Sequence, residues 1–112
     1  MAYASWTKIG SAMALAIRAL AAAEGVEDAL VAEWDLSQPG MVARSERAAA
    51  GTGPKAWRFV GEMHQIADAF EAAGLPAGFA DAGASIYERL APLKGTSSPG
   101  LDDVLELLQP DG

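Results

Sequence analysis

Few side chains in this sequence are equipped for chemistry, and their spacing decides which chemistry is open to them. Ser5-Trp6-Thr7-Lys8 sets a lysine one helical turn after a serine, the S-x-x-K spacing of penicillin-recognising enzymes. The S-D-N and K-T-G motifs that complete such a site are absent. Lys8 therefore reads as a solvated side chain unless the fold supplies a partner. Gly51-Thr52-Gly53-Pro54-Lys55 superficially resembles a phosphate loop, but it follows no strand and lacks the G-x-x-x-x-G-K-[ST] spacing, so it reads as a linker. No G-x-G-x-x-G occurs, and the chain carries no dinucleotide fingerprint of its own. Trp57, Gly61 and His64 stand at i, i+4 and i+7, on one stripe of a helix. A mid-helix glycine costs about 1 kcal/mol relative to alanine. Gly61 thus implies either close approach of another helix or room for a ligand between Trp57 and His64, with Arg58 and Glu62 at its rim. Arg18 is the lone charge between Ile9 and Ala23. It is expected to pair with an acid such as Glu33 or Asp35, or to bind an anion.

The composition narrows the field further. Over 112 residues there is no cysteine and one histidine, so thiol nucleophiles, iron-sulfur clusters, zinc fingers and disulfides are excluded, and no metal site is expected. A net charge of −7 opposes nucleic acid, whose binding depends on clustered Lys and Arg, and counts against a helix-turn-helix DNA binder or an acidic membrane surface. A secretory leader is not expected either, for lack of a basic start.

The elements that must position these residues are helical. Twenty-five alanines, few β-branched residues and no alternating pattern predict an all-α chain of one domain over residues 1–112. About six helices are expected. The first, from about Ala4 to Glu24, is apolar nearly all round and should be buried on several sides, although Gly10, Ser11 and Arg18 leave it short of a membrane span. It has no capping box, as if entered from upstream. A second runs from about Glu27 to Leu36 on Leu30, Val31 and Trp34. Ser37 resembles an N-cap for a third, Gln38 to Ala50. The fourth, Lys55 to Ala73, carries a core stripe of Ala56, Phe59, Val60, Met63, Ile66, Ala67 and Phe70 and should end at Gly74. A fifth, Ala77 to Ala91, turns Phe79, Ala82, Gly83, Ile86 and Leu90 inward. A last one starts with Ser98 as N-cap and Pro99 at N1, and docks Leu101, Val104, Leu105 and Leu108.

The segments Met1-Ala2-Tyr3-Ala4-Ser5-Trp6-Thr7-Lys8, Ser37-Gln38-Pro39-Gly40 and Lys55-Ala56-Trp57-Arg58-Phe59-Val60-Gly61-Glu62-Met63 resemble a known family. It is the C-terminal helical domain of phosphogluconate-dehydrogenase-like NAD(P)-binding oxidoreductases, distant relatives of the β-hydroxyacid dehydrogenases. The likeness spans essentially residues 1–108, with Ala72-Ala73-Gly74-Leu75-Pro76 and Ile86-Tyr87-Glu88-Arg89-Leu90. It implies a fold resembling the 6-phosphogluconate dehydrogenase C-terminal domain, with the helices arranged around the long first one. It implies a substrate-binding and dimerisation domain, inactive without a Rossmann half that holds NAD or NADP in cis or in trans. The parent would act on a small hydroxy or related acid in the cytoplasm. A homodimer burying the first helix is expected.

Counting back from Glu24-Gly25-Val26, the family's proton-transferring lysine falls immediately before Met1, and the motif's asparagine falls at Ala4. The family's Lys-Asp pair aligns with Gly61-Glu62, which keeps the acid in kind but not the lysine. The chain alone therefore has no expected catalytic residue. Tyr3, Trp6, Lys8, Trp57, Arg58, Glu62 and His64 are the expected substrate-side residues, with Lys8 or Arg58 as anion contacts and Trp57 as a wall. The alternative is a stand-alone helical interaction module whose apolar helix docks a partner helix.

Overall fold

Ala2 to Glu24 contains no proline and is dominated by alanine and other good helix formers, and in the computed structural model of the protein it forms one 23-residue helix, α1. The structure describes residues 1–109. Gly25, at φ 72°, adopts the left-handed conformation that ends α1, and the Val26 N–H donates back to the Ala21 carbonyl at 2.9 Å. The other helices are α2 (Glu27–Ser37), α3 (Met41–Arg47), α4 (Ala56–Ala72), α5 (Gly78–Leu90) and α6 (Leu101–Leu108). No strand occurs among the described residues, and the fold is all-α. No described helix is long and apolar enough to cross a membrane.

The core lies where α4 and α5, the most extensively packed pair, close on α1 and α6. Leu15, Met63, Ile66, Tyr87, Leu90 and Val104 are fully buried there. The stripe expected on α4 faces this core, with Ala56, Met63, Ile66 and Ala67 buried and Phe59, Val60 and Phe70 packed at its margin. Gly74 takes φ 77° after α4, and the Leu75 N–H returns to the Phe70 carbonyl at 2.8 Å.

Several expectations are corrected. The inner face of α5 is Ala80, Gly83, Ala84, Tyr87 and Leu90, rotated from the expected stripe, and Phe79 is 67% exposed with Ala82 also in solvent. The small residues face inward because α5 meets its neighbours closely. A Cβ on Gly83 would stand 2.6 Å from Met63 Cε and 3.8 Å from Ala12 Cβ.

The first helix is not buried all round: Tyr3, Trp6, Met13 and Leu20 face solvent, whereas the charged Arg18 is inside. Ser37 is the last residue of α2, its hydroxyl donating to the Glu33 carbonyl, and caps no following helix. None of α2 is fully buried. The segment expected as a linker at Gly51-Thr52-Gly53-Pro54 is helical instead. A π-turn over Ala48–Thr52 and a 3-10 turn over Gly53–Lys55 carry the chain from α3 into α4. Finally, α6 starts two residues later than expected: Gly100 is its N-cap, and the Asp103 carboxylate accepts the Gly100 N–H at 2.9 Å. Ser98 precedes a proline and stands at φ 45°, outside any helix.

Candidate functional site

The side chains expected on the substrate side separate into three places. Lys8 and Glu62 come together. Lys8 projects from the second turn of α1 and Glu62 from α4, and their charged groups are 3.2 Å apart (Nζ to Oε2). The Lys8 ammonium also lies 4.7 Å from the centroid of the Phe59 ring, whose face attracts the cation. Phe59 in turn meets Tyr87 edge to face, with centroids 5.8 Å apart and planes at 67°. The Tyr87 hydroxyl, carried in from α5, donates to the Lys8 backbone carbonyl. Three helices are thus tied at one crossing.

Beside this crossing is a small cavity of about 120 Å³ lined by Thr7, Lys8, Ser11, Thr52, Phe59 and Tyr87. Its chemistry is one cation, four hydroxyl-bearing side chains and one aromatic wall. The Thr7 hydroxyl is already committed to the Ala4 carbonyl at 3.2 Å. Thr52 reaches the cavity because it ends the π-turn, a type of irregularity that recurs at functional sites and re-aims side chains which a regular helix would point elsewhere. Burial holds the Tyr87 phenol well above its ordinary ionisation range; the nearby Glu62 carboxylate pushes the same way, and the Ala12 backbone opposes both. Tyr87 is therefore a neutral hydrogen-bond donor at physiological pH. The arrangement suits a small oxyanion or hydroxy compound that takes hydrogen bonds from Lys8, Ser11 and Thr52.

Trp57, Arg58 and His64 stand elsewhere, on the outer surface of α4. Trp57 stacks under Lys94, whose Nζ is 4.1 Å from the ring centroid. Gly61 has nothing within 4 Å of a Cβ built on it, so neither a close helix nor a walled ligand pocket explains it. Tyr3 and Trp6 form the third group, exposed on α1. The Arg44 guanidinium lies 5.3 Å from the Trp6 ring and rests against Gly10, where a Cβ would meet Nη2 at 2.8 Å. Arg18 pairs with Glu27 at 3.8 Å instead of Glu33 or Asp35, because α2 folds back at Gly25 and brings its first turn to the end of α1.

Sequence reasoning missed Thr7, Ser11, Thr52, Phe59 and Tyr87 as site residues. Phe59 was visible only as a core position, and Thr52 was hidden in an apparent linker. Tyr87 carried one signal: it stands four residues after Gly83 and three before Leu90, at core spacing, with a hydroxyl that burial obliges to find a partner.

An all-helical domain with a cation and hydroxyls gathered at one helix crossing is the class of protein that fold and site define. The model of the family described as "Domain of unknown function (DUF1932)" matches residues 21–90, and the chain belongs to that family. The matched span includes Thr52, Phe59, Glu62 and Tyr87, with Lys8 and Ser11 ahead of it. Comparison with curated proteins and with solved structures finds no match.

Proposed function

We propose that this chain is the substrate-side and dimerisation domain of a cytoplasmic NAD(P)-dependent oxidoreductase, as its resemblance to the helical domain of phosphogluconate-dehydrogenase-like enzymes implies. The observation that carries the reading is the hydroxyl-lined cavity at Lys8, which resembles a receptor for one end of a small hydroxy acid. In this reading Lys8 meets the acid's carboxylate, Ser11 and Thr52 supply hydrogen bonds, and Tyr87 and Glu62 hold Lys8 in place. A Rossmann-type dinucleotide site is built from a strand, a glycine-rich turn and a helix. The described residues contain no strand and so do not fit a site of that kind. The nicotinamide would be held by a Rossmann domain in cis or in trans, and it would supply the hydride chemistry.

The dimer half of the proposal rests on the groove of about 470 Å³ between α1 and α5, lined by Ile9, Met13, Phe79 and Ile86 among other apolar residues. Met13 and Phe79 are more than half exposed, and a second copy's α1 would cover them. The same groove favours the second reading, a stand-alone module that docks a foreign helix there.

Mixing the chain with a separately expressed NAD(P)-binding Rossmann half separates the two. Turnover of a small hydroxy acid, lost on Lys8→Met, is expected from the first reading. No turnover, together with a stable monomer in light scattering at micromolar concentration, would reject it.

A further inference from the structure

Among the described residues the charged side chain with a buried, unpaired polar atom is Arg18, at the far end of α1 from Lys8. It is 7% exposed, yet its guanidinium has little to bind. Nη1 donates to the Ser45 hydroxyl at 3.2 Å, and that hydroxyl is itself engaged, donating to the Val42 carbonyl at 2.7 Å. Nη2 lies 3.8 Å from Glu27 Oε1, beyond hydrogen-bond length. Nε is buried with no partner among the described residues. A guanidinium has five N–H donors, and buried arginine is normally paired.

A surface cavity of about 550 Å³ opens against this residue. It is also lined by the turn Ser98–Gly100 and the first two residues of α6, Leu101 and Asp102, together with Glu46 of α3 and Ala50 of the π-turn. The first-turn N–H groups of an α-helix have no partners within the helix and carry partial positive charge. In α6 the Asp103 carboxylate takes the Gly100 N–H and the Asp103 N–H returns to the Gly100 carbonyl at 3.1 Å, which leaves the Leu101 and Asp102 N–H groups without a partner among the described residues. The positive features among the lining residues are therefore Arg18 and the first-turn amides of Leu101 and Asp102. The negative features are the carboxylates of Glu46 and Asp102. A simple anion would meet two carboxylates there, and a simple cation would meet the guanidinium. A molecule bearing both charges satisfies both sets.

We propose that this cavity is a binding site for a small zwitterion, a free α-amino acid or a close analogue. The ligand carboxylate takes hydrogen bonds from Arg18 and the α6 amides, and its ammonium faces Glu46 and Asp102. The site is separate from the Lys8 cavity, and its occupancy needs neither a cofactor nor the function proposed above.

The test is an amide-resonance titration of the whole chain with a panel of free L-α-amino acids, using acetate and methylammonium as the two single-charge halves. At least one amino acid is expected to move the Ser98–Asp102 amides and the Arg18 Nε–H saturably in the low millimolar range or below. Each half should bind about tenfold or more weakly, the loss expected when charged hydrogen bonds go unmade. Glu46→Gln and Asp102→Asn alter exposed residues, so they should leave the rest of the spectrum intact while weakening binding by a similar factor. Arg18→Met should abolish binding, and the two carboxylate variants decide the matter if that chain does not fold. The proposal is overturned if no amino acid saturates the site, if acetate binds as tightly as the amino acids, or if Glu46→Gln and Asp102→Asn change nothing.

Discussion

Lys8 and Arg18 stand ten residues apart on α1, and the protein meets their charges in opposite ways. Lys8 keeps 22% of its side chain in water, has Glu62 at 3.2 Å and lies on an aromatic face. Arg18 is deeper, with one full hydrogen bond and one long ion pair. Burial in a low-dielectric interior makes a charge expensive unless it is paired and hydrogen-bonded, so the better-solvated cation also has the better partners. The Lys8 end is thus a junction that ties three helices together and holds its cation beside the hydroxyl-lined cavity. The Arg18 end holds a buried charge with fewer partners than it has donors, which is the condition under which a ligand can supply what is missing.

The comparison breaks most severely at Tyr87. Tyr87→Ala removes a fully buried ring together with its bond to the Lys8 carbonyl, and should cost about 3–5 kcal/mol in urea-denaturation experiments. The next effect is alkaline. Because burial raises the Tyr87 ionisation in the folded chain above that of the unfolded chain, its contribution is complete below about pH 10 and is lost as pH rises toward the folded value. Stability should fall in that window by up to about 1.4 kcal/mol per pH unit. Tyr87→Phe should lack this component, which the difference between the two stability-pH profiles isolates.

Arg18→Met should be smaller and of the opposite kind. Glu27, its partner, is 38% exposed and becomes solvated, so unfolding free energy should change by less than about 1 kcal/mol or rise. A large loss would mean that the guanidinium is structurally satisfied after all. Smallest is the Lys8–Glu62 pair. A double-mutant cycle should give a coupling of about 0.5 kcal/mol, reduced at high salt, because Glu62 is half exposed.

Much of the scaffold was legible in the residues themselves. The α4 stripe, the end of α4 at Gly74 and the apolar face of α6 follow from 3.6-residue periodicity and from glycine's access to positive φ, both properties of the local chain. The site was legible only in part. Lys8 and Glu62 could be singled out by type, but no sequence rule states that residues 54 apart meet at 3.2 Å.

Two glycines mark the boundary between the two kinds of knowledge. Both Gly61 and Gly83 stand inside helices, and local cost is the same for each. Gly61 faces open space, whereas Gly83 is where α5 closes on Met63 and Ala12. The sequence by itself determined that the chain would be helical, where most helices stop, and which side of α4 is apolar, since these depend on neighbours within a few residues. Only the tertiary structure decided which small residues lie at contacts, that Thr52 ends a π-turn beside Lys8, and that Arg18 is buried with too few partners. Those outcomes depend on how distant helices rotate and approach, and that is set by packing the whole core at once.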